Sequence, residues 1–389
     1  MKQTEYRRPQ RGFGSSPGNP PVPTSVRRGS RIALIGAGGT AGSTKDEYEH
    51  YKASAQGEQV LKHILSLRPG LAADFDIKLK HTWSLLSEDL HPSDWGAIAF
   101  AIARAINEPQ NRPHGIVVTH GTDTLAFTAS AITFMFDTLP VPVVFTGSLF
   151  PPDFEQSDAP DNVQDSILVA ANADYAGVFV VFQGPGGATR RITLANQTLS
   201  IAAYGKAFSA LDDNYSGRVR DGHVTFSAAM RSRLPRRQDR PVSVSPRVEL
   251  DDRVRVIKVH PGFRPSDLVR TAENDCRAII LQLYHSGTAC TRDVARQSLS
   301  LVPAIAKCRD LNVLVFGLPL NHVESGHVYQ STRMLMDAGL EPLPRMSVEA
   351  AYVKLIWLLG QRAELTNVLQ QMRMNLRGEV AETSPRFDK

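Results

Sequence analysis

Short runs of β-branched and apolar residues recur along the chain from Arg31 onward, and no other feature limits the possible folds so tightly. They read RIALI, GIVVT, VPVVFTG, GVFVVFQG, RVIKVH, AIILQLYH and NVLVFGL. A strand with one face in water alternates apolar and polar side chains. An unbroken apolar run suits a strand covered on both faces, the habit of a mainly parallel sheet. Helix-like stretches separate the runs, among them 57–67, 92–106, 124–136, 159–173 and 348–359. This alternation predicts an α/β fold: a larger N-terminal domain with a doubly wound, mainly parallel sheet, and a smaller C-terminal α/β domain. A length of 389 residues accommodates both.

Residues 1–30 are rich in Pro, Gly, Ser and Arg and lack apolar periodicity, so a disordered tail is expected there. The segment MRSRLPRRQDRPVSVSPRVELDD breaks the strand–helix rhythm and puts a linker at 229–252, leaving domains at 31–228 and 253–389. Much of the net charge of +5 lies in the tail and in the stretch Arg231 to Arg240, both read as mobile segments. Basic and aromatic residues do not interleave on a predicted face, so no nucleic-acid partner is expected. No segment has the apolar core of a signal peptide or the length of a membrane span, which makes the cytoplasm the default compartment and argues against a membrane partner. Cys276, Cys290 and Cys308 follow no disulfide or metal-ligand spacing; they read as free thiols, Cys290 as a buried unreactive one, and no metal is expected.

Ligands of open α/β sheets collect beyond the carboxyl ends of the strands. After RIALI comes Gly36-Ala37-Gly38-Gly39-Thr40-Ala41-Gly42-Ser43, whose glycines permit a tight turn and close backbone approach to a bound group. Its small residues also meet a relaxed dinucleotide pattern. The acidic residue which that pattern needs about twenty residues on falls in QGEQVLKHIL, a helical stretch, so a cofactor is disfavoured. After GIVVT comes His120-Gly121-Thr122-Asp123-Thr124, leading into LAFTASAITFMF. A hydroxyl at such a strand-to-helix turn, near the positive end of a helix and beside a carboxylate, suits a nucleophile or an oxyanion site. Plain helix capping by Thr122 or Asp123 is the alternative. His120 reads as a core histidine satisfied by backbone.

The run THGTDTLAFTAS resembles the threonine-lysine-aspartate signature of bacterial-type asparaginases, and GAGGTAG resembles their N-terminal threonine loop. The likeness continues through PVPVVFTGS, SDAPDN, LYHSGTA, MLMDAGLEPLPRMSVEAAYVKLIWLLG and NLRGE, covering 31 to about 379, and looks closest to the cytoplasmic type I branch. It implies that 31–228 is the catalytic domain and that a small primary amide, above all L-asparagine, is hydrolysed by a double-threonine mechanism. Thr40 would form the acyl-enzyme, with Thr122 opposite, Asp123 on the substrate's α-amino group, and Tyr51 on a mobile lid as activator, Tyr48 being the substitute. Ser87 and Glu88 would bind substrate, with Gly39 and Gly121 lining the site. A homodimer or homotetramer is implied as well.

A threonine hydroxyl is a poor nucleophile unless a neighbouring base or cation eases the loss of its proton, and a lysine held by a carboxylate can do this. The family places a Thr-Lys pair after the run matching GVFVVFQG, where this chain has GGATRRITLANQ. Arg190 and Arg191 keep their protons and replace a lysine imperfectly. The only lysine between Lys80 and Lys258 is Lys206, in AYGKAFSALDDN, and it is the expected third member, with an arginine as the alternative. Thr288 stands where many members carry asparagine, and Arg345 and Ser347 replace aspartate and threonine before Glu349. These departures leave open an amidase acting on a modified amide, a silent asparagine-binding protein, or an asparaginase-like amidotransferase subunit; the last would carry a further N-terminal domain for which a 30-residue tail is short.

Overall fold

The structure is a computed structural model and describes residues 27–38, 43–45, 51–53, 57–83, 85–184, 187, 189–203, 206–238, 240, 242–294, 297–319 and 329–381. The chain opens with strand β1 (Arg31–Gly36), a small hairpin of β2 (Ser43–Lys45) and β3 (Tyr51–Ala53), helices α1 (Gly57–Ser66) and α2 (Gly70–Asp74), and β4 (Asp76–Thr82). There follow α3 (Trp95–Asn107), β5 (Gly115–Thr119), α4 (Leu125–Met135), β6 (Pro142–Thr146), α5 (Ala159–Asn172), β7 (Gly177–Gln183) and β8 (Arg190–Leu194). A hairpin of β9 (Thr198–Ala203) and β10 (Lys206–Ala210) precedes β11 (Gly217–Arg220), β12 (His223–Phe226) and α6 (Met230–Arg233). The remainder comprises β13 (Val254–Lys258), α7 (Pro265–Glu273), β14 (Ala278–Leu283), a short pair β15 (Asp293–Val294) and β16 (Gln297–Ser298), and α8 (Val302–Asp310). It closes with β17 (Leu314–Pro319), α9 (Gln330–Ala338), β18 (Leu340–Pro342), α10 (Val348–Gly360) and α11 (Leu365–Arg373).

Eight strands form the large sheet in the order β12-β11-β8-β7-β6-β5-β1-β4. From β4 through β7 every neighbour is parallel, while β8, β11 and β12 extend the sheet antiparallel. The continuous apolar runs have a direct physical cause. Ile35, Val118, Phe145 and Val180 pack with α3, α4 and α10, while their neighbours Leu34, Val117, Val144 and Val181 pack with α1 and α5. Both faces are therefore dry, and β5 and β6 are buried at every residue. The second sheet, β13-β14-β17-β18, is wholly parallel. Ala278, Ile280 and Phe316 join the cluster around α10, and Ile279, Leu281 and Val315 join one with α7, α8 and α9.

Helix α10 is the shared wall. It runs along α4, with Phe127 against Tyr352 and Phe134 against Trp357, both at 6.0 Å between ring centroids. Helices apolar on all sides belong in such central positions. The C-terminal stretch then crosses back. Asn196 Nδ2 donates to Arg377 O at 2.7 Å and Gln197 Nε2 to Gly378 O at 2.6 Å. Behind it, Lys354 Nζ meets Glu379 Oε1 at 2.6 Å with both side chains fully buried.

Three expectations need correction. Residues 1–26 lie outside the described residues, but residues 27–30 of the expected tail are anchored: Arg27 N donates to Asn172 Oδ1 at 2.6 Å and Gly29 N to Asp74 O at 2.7 Å. The arginine-rich stretch after 229 is tied down, because its backbone finds partners that a free segment would leave to water. Ala176 N donates to Pro235 O, Arg237 N to Asp174 O and Arg247 N to Met135 O. Cys290 is exposed, its loop running over the surface, whereas Cys276 and Cys308 are buried; all three are free.

Candidate active site

The large sheet changes direction at β1, which β4 and β5 flank on opposite sides. In such sheets the crevice at the switch point, above the strands' carboxyl ends, is where ligands sit. Beyond β1, Gly38 adopts φ +78°, and a Cβ there would lie 2.0 Å from Leu85 O. Glycine is required at this point because the β1 loop presses directly on the segment leading to Ser87. Trp83 N donates to Gly36 O at 3.0 Å and Ala37 N to Thr119 O at 2.8 Å, which brings the ends of β4, β1 and β5 together.

The β5 loop is held from several sides. His120 N donates to Thr146 O at 2.8 Å, and Thr124 Oγ1 donates to Ser87 O at 2.8 Å. A Cβ on Gly147 would lie 2.4 Å from His120 O and 3.6 Å from Thr122 Cγ2, so β6 ends with its backbone against the Thr122 loop. Asn162 Nδ2 donates to Gly147 O at 3.0 Å and to Asp158 Oδ2 at 2.8 Å, and Asp158 Oδ1 accepts from Leu149 N and Phe150 N. This stack of bonds fixes Thr122 at the mouth of α4, half-buried, beside an exposed Asp123 and a buried Gly121. Ser87 is buried and Glu88 exposed. His120 is fully buried; its Nδ1 bonds Gly121 O at 2.8 Å and its Nε2 has no partner among the described residues. Burial pushes its pKa down to about 4, the Gly121 bond opposing. It therefore stays neutral and holds the loop, rather than moving protons.

Of the residues singled out in the sequence, the structure gathers Thr122, Asp123, Gly121, Ser87 and Glu88 on two touching loops. Gly39, Thr40 and Tyr48 lie outside the described residues. Tyr51 is described in its backbone alone, paired with Lys45 in the β2–β3 hairpin. The backbone of Lys206 opens β10, opposite Ala203 at the hairpin tip, and its side chain lies outside the described residues. Two residues on, the Phe208 ring meets Phe182 edge-on at 5.0 Å, next to the carboxyl end of β7. Phe208 thus lies at the same edge of the sheet as the Thr122 loop. Ser200, the cross-strand partner of Phe208, reaches α10, where its N donates to Glu349 Oε1 at 3.0 Å, and burial raises the Glu349 pKa.

Arg190 is committed elsewhere. Its side chain bonds Asn162 Oδ1 at 3.1 Å and Gly187 O at 2.7 Å and pairs with Asp161 at 3.1 Å and Asp165 at 3.8 Å. Arg191, the next residue along the strand, points to the opposite face of β8. Of the other departures, Ser347 caps α10 by accepting from Ala350 N at 3.0 Å, Arg345 pairs with Asp212, and Thr288 shares a hydrogen bond with Ser286 at 3.0 Å. Thr124, Gly147 and Asn162 were not singled out as site residues. Thr124 and Asn162 stand inside recognisable motifs, yet the sequence gives no sign that their side chains clasp Ser87 O and Gly147 O. Among the described residues no group of three or more His, Cys, Asp or Glu could hold a metal, and no helix is long and apolar enough to cross a membrane.

Comparison with known proteins identifies the family of the chain. A family model described as "Asparaginase, N-terminal" matches residues 31–231. The chain is 32% identical to a glutamyl-tRNA(Gln) amidotransferase component of Aeropyrum pernix over 90% of its own length and 80% of that protein's. It is 30% identical to the L-asparaginase of Thermococcus kodakarensis over 90% of its length and 99% of that protein's. Among solved structures, the thermostable L-asparaginase of T. kodakarensis superposes with a TM-score of 0.75 at 29% identity, covering 91% of this chain and all of that one, 100%. L-asparaginase I of Vibrio cholerae gives 0.74 at 26% identity, covering 91% and 100%. Family model, relatives and fold agree: the chain belongs to the asparaginase family.

Proposed function

We propose that this asparaginase-family amidohydrolase cleaves L-asparagine to L-aspartate and ammonia in the cytoplasm, as a homodimer or homotetramer, without a metal or cofactor. The observation that carries the reading is the clasp of Thr124 on Ser87 O at 2.8 Å, which sets the Thr122–Asp123 turn beside Ser87 and Glu88 at the switch point. A zwitterionic amide needs both charges met: Asp123 would take the α-ammonium, and Ser87 the α-carboxylate. Thr40, with Tyr51 as activator, would attack the side-chain amide carbon as its hydroxyl proton is withdrawn. Collapse of the tetrahedral intermediate breaks the C–N bond, the nitrogen leaves protonated as ammonia, and water cleaves the threonine ester. Gly39 and Gly121 would bring backbone donors to the oxyanion. Thr122 would activate the water, with Lys206 easing proton loss from the Thr122 hydroxyl.

The test is ammonia release from L-asparagine, L-glutamine and a panel of larger amides, by the wild type and by Thr122→Ala and Lys206→Met. Turnover of asparagine that falls by at least about 10³-fold in Thr122→Ala is expected; near-normal rates in that variant would end the double-threonine scheme. A second reading is favoured by the 32% identity to an amidotransferase component. It predicts that ammonia release needs a partner protein and charged tRNA, and silence of the isolated chain on every amide would move the balance to it.

A further inference from the structure

On the face of β8 opposite Arg190, a cavity of about 210 Å³ lies between β7 and β8 below and the β9–β10 hairpin above. Its wall carries two opposite charges that are not paired with each other. Arg191 lies directly across from Phe182 in the β7–β8 register and shares its face of the sheet. Its guanidinium is stacked 5.0 Å from the centre of the Tyr215 ring, and its buried Nε has no hydrogen-bond partner among the described residues. Asp213 lines the same cavity and forms no ion pair among the described residues. Both Asp212 and Asp213 hold positive φ, 60° and 55°, so the turn that presents Asp213 is kept in a sparsely populated conformation. A Cβ on Gly184 would come within 3.1 Å of Arg191 Cγ and 3.5 Å of its Nε, which makes the absence of a side chain there part of the room given to the guanidinium.

A buried guanidinium nitrogen without an acceptor is costly, and a polar cavity of this size holds either water or a ligand that answers it. The planar fork of arginine matches a carboxylate, and stacking on Tyr215 fixes its plane. Asp213 offers an acceptor for an ammonium. Between the charges the wall is apolar: Phe182 and Phe208 meet edge-on at 5.0 Å, with Ile201 beside them. The volume falls below the roughly 300–1,000 Å³ of sites for drug-sized ligands, which restricts the occupant to a small metabolite.

We infer that this cavity is a second small-molecule site, for an α-amino acid with an apolar side chain of valine or leucine size, with carboxylate on Arg191, ammonium on Asp213 and side chain on Phe182 and Phe208. The site is independent of the amide chemistry, and its test does not use turnover. Titration calorimetry of the full chain with L-leucine and L-valine should give saturable binding at one ligand per chain. Arg191→Gln should weaken it at least about tenfold, and L-leucinamide, which lacks the carboxylate, should bind as poorly to the wild type. Asp213→Asn, an exposed position where folding is not at stake, should weaken leucine while leaving 4-methylpentanoate, which has no ammonium, unchanged. Thr122→Ala should bind leucine as the wild type does. No saturable heat up to about 10 mM ligand, leucine binding indifferent to both Arg191→Gln and Asp213→Asn, or binding lost in Thr122→Ala would each overturn the assignment.

Discussion

Glu379→Gln removes the charge from a carboxylate that is fully enclosed together with the ammonium it faces, 2.6 Å away. Lys354 would keep its bonds to Met372 O at 3.3 Å and Met374 O at 2.5 Å but would have no counter-charge. Breaking one side of a buried pair costs about 3–5 kcal/mol, and the two carbonyls place this case near the lower bound, about 3 kcal/mol. Lys354→Met should cost less, about 2 kcal/mol, because Glu379 keeps backbone donors from Leu376 N at 3.0 Å and Arg377 N at 2.7 Å. Burial holds the Lys354 pKa below the usual lysine value against the opposing pull of Glu379, so desolvation outweighs pairing. The double variant Lys354→Met with Glu379→Leu should therefore recover most of the stability lost by either single change. Urea titrations followed by tryptophan fluorescence measure all three variants; Trp357 lies on the same helix as Lys354. A Glu379→Gln protein within about 1 kcal/mol of the wild type, or a double variant weaker than both singles, would refute the reasoning.

Gly147→Ala should push the β6 terminus off His120 O and displace Thr122, cutting asparagine turnover about 10²-fold while the chain still folds; unchanged kcat/KM would show that the loop tolerates the shift. The unfolded chain binds a proton at His120 near pH 6.5 and the native one only near 4, so its share of stability is whole above 6.5 and falls by about 3 kcal/mol as pH drops to 4. Asp165, raised by burial to about 6, contributes the opposite slope, its stability being lost as pH rises through that value. The informative quantity is consequently the stability difference between wild type and His120→Asn, which should shrink on acidification; a difference independent of pH from 7 to 4 would contradict the buried neutral imidazole. Arg190→Met should lower stability by about 2–3 kcal/mol, mainly through a stranded Asp165, since Asp161 keeps its pairing with Arg68, with kcat per folded molecule kept. Loss of kcat at full stability would return Arg190 to the chemistry.

The parallel half of the large sheet was readable because strands dry on both faces leave apolar runs, and the observed α4 and α5 differ from the helix-like stretches by a residue at each end or less. The antiparallel edge was not readable in the same way. RRITL, GRVR and HVTF mix charge with short apolar content, since Arg190 and Arg191 face opposite sides of β8 and β11 and β12 lie at the border. The Thr122 turn announced itself through residue types. Its support by Thr124, Gly147 and Asn162 did not, because bonds between loops 15 to 37 positions apart leave no periodic mark. Arg231–Arg240 looked mobile on composition alone, although its backbone has partners on several elements. Opposite charges on β8 and on the turn after β10 likewise say nothing of a shared cavity until the β9–β10 hairpin closes over it.

The return of the C-terminal stretch across the 3-10 turn Ala195–Gln197 also bears on how the protein is made. Asn196 and Gln197 are buried in the finished molecule, and the bonds from their amides go to carbonyls that leave the ribosome nearly two hundred residues later. Until residues 375–381 have been synthesised, those amides and the Lys354 ammonium lack these partners and are left to water. The last buried polar groups of the N-terminal sheet's wall are therefore satisfied only when the final stretch of chain arrives, far in sequence from the groups it completes.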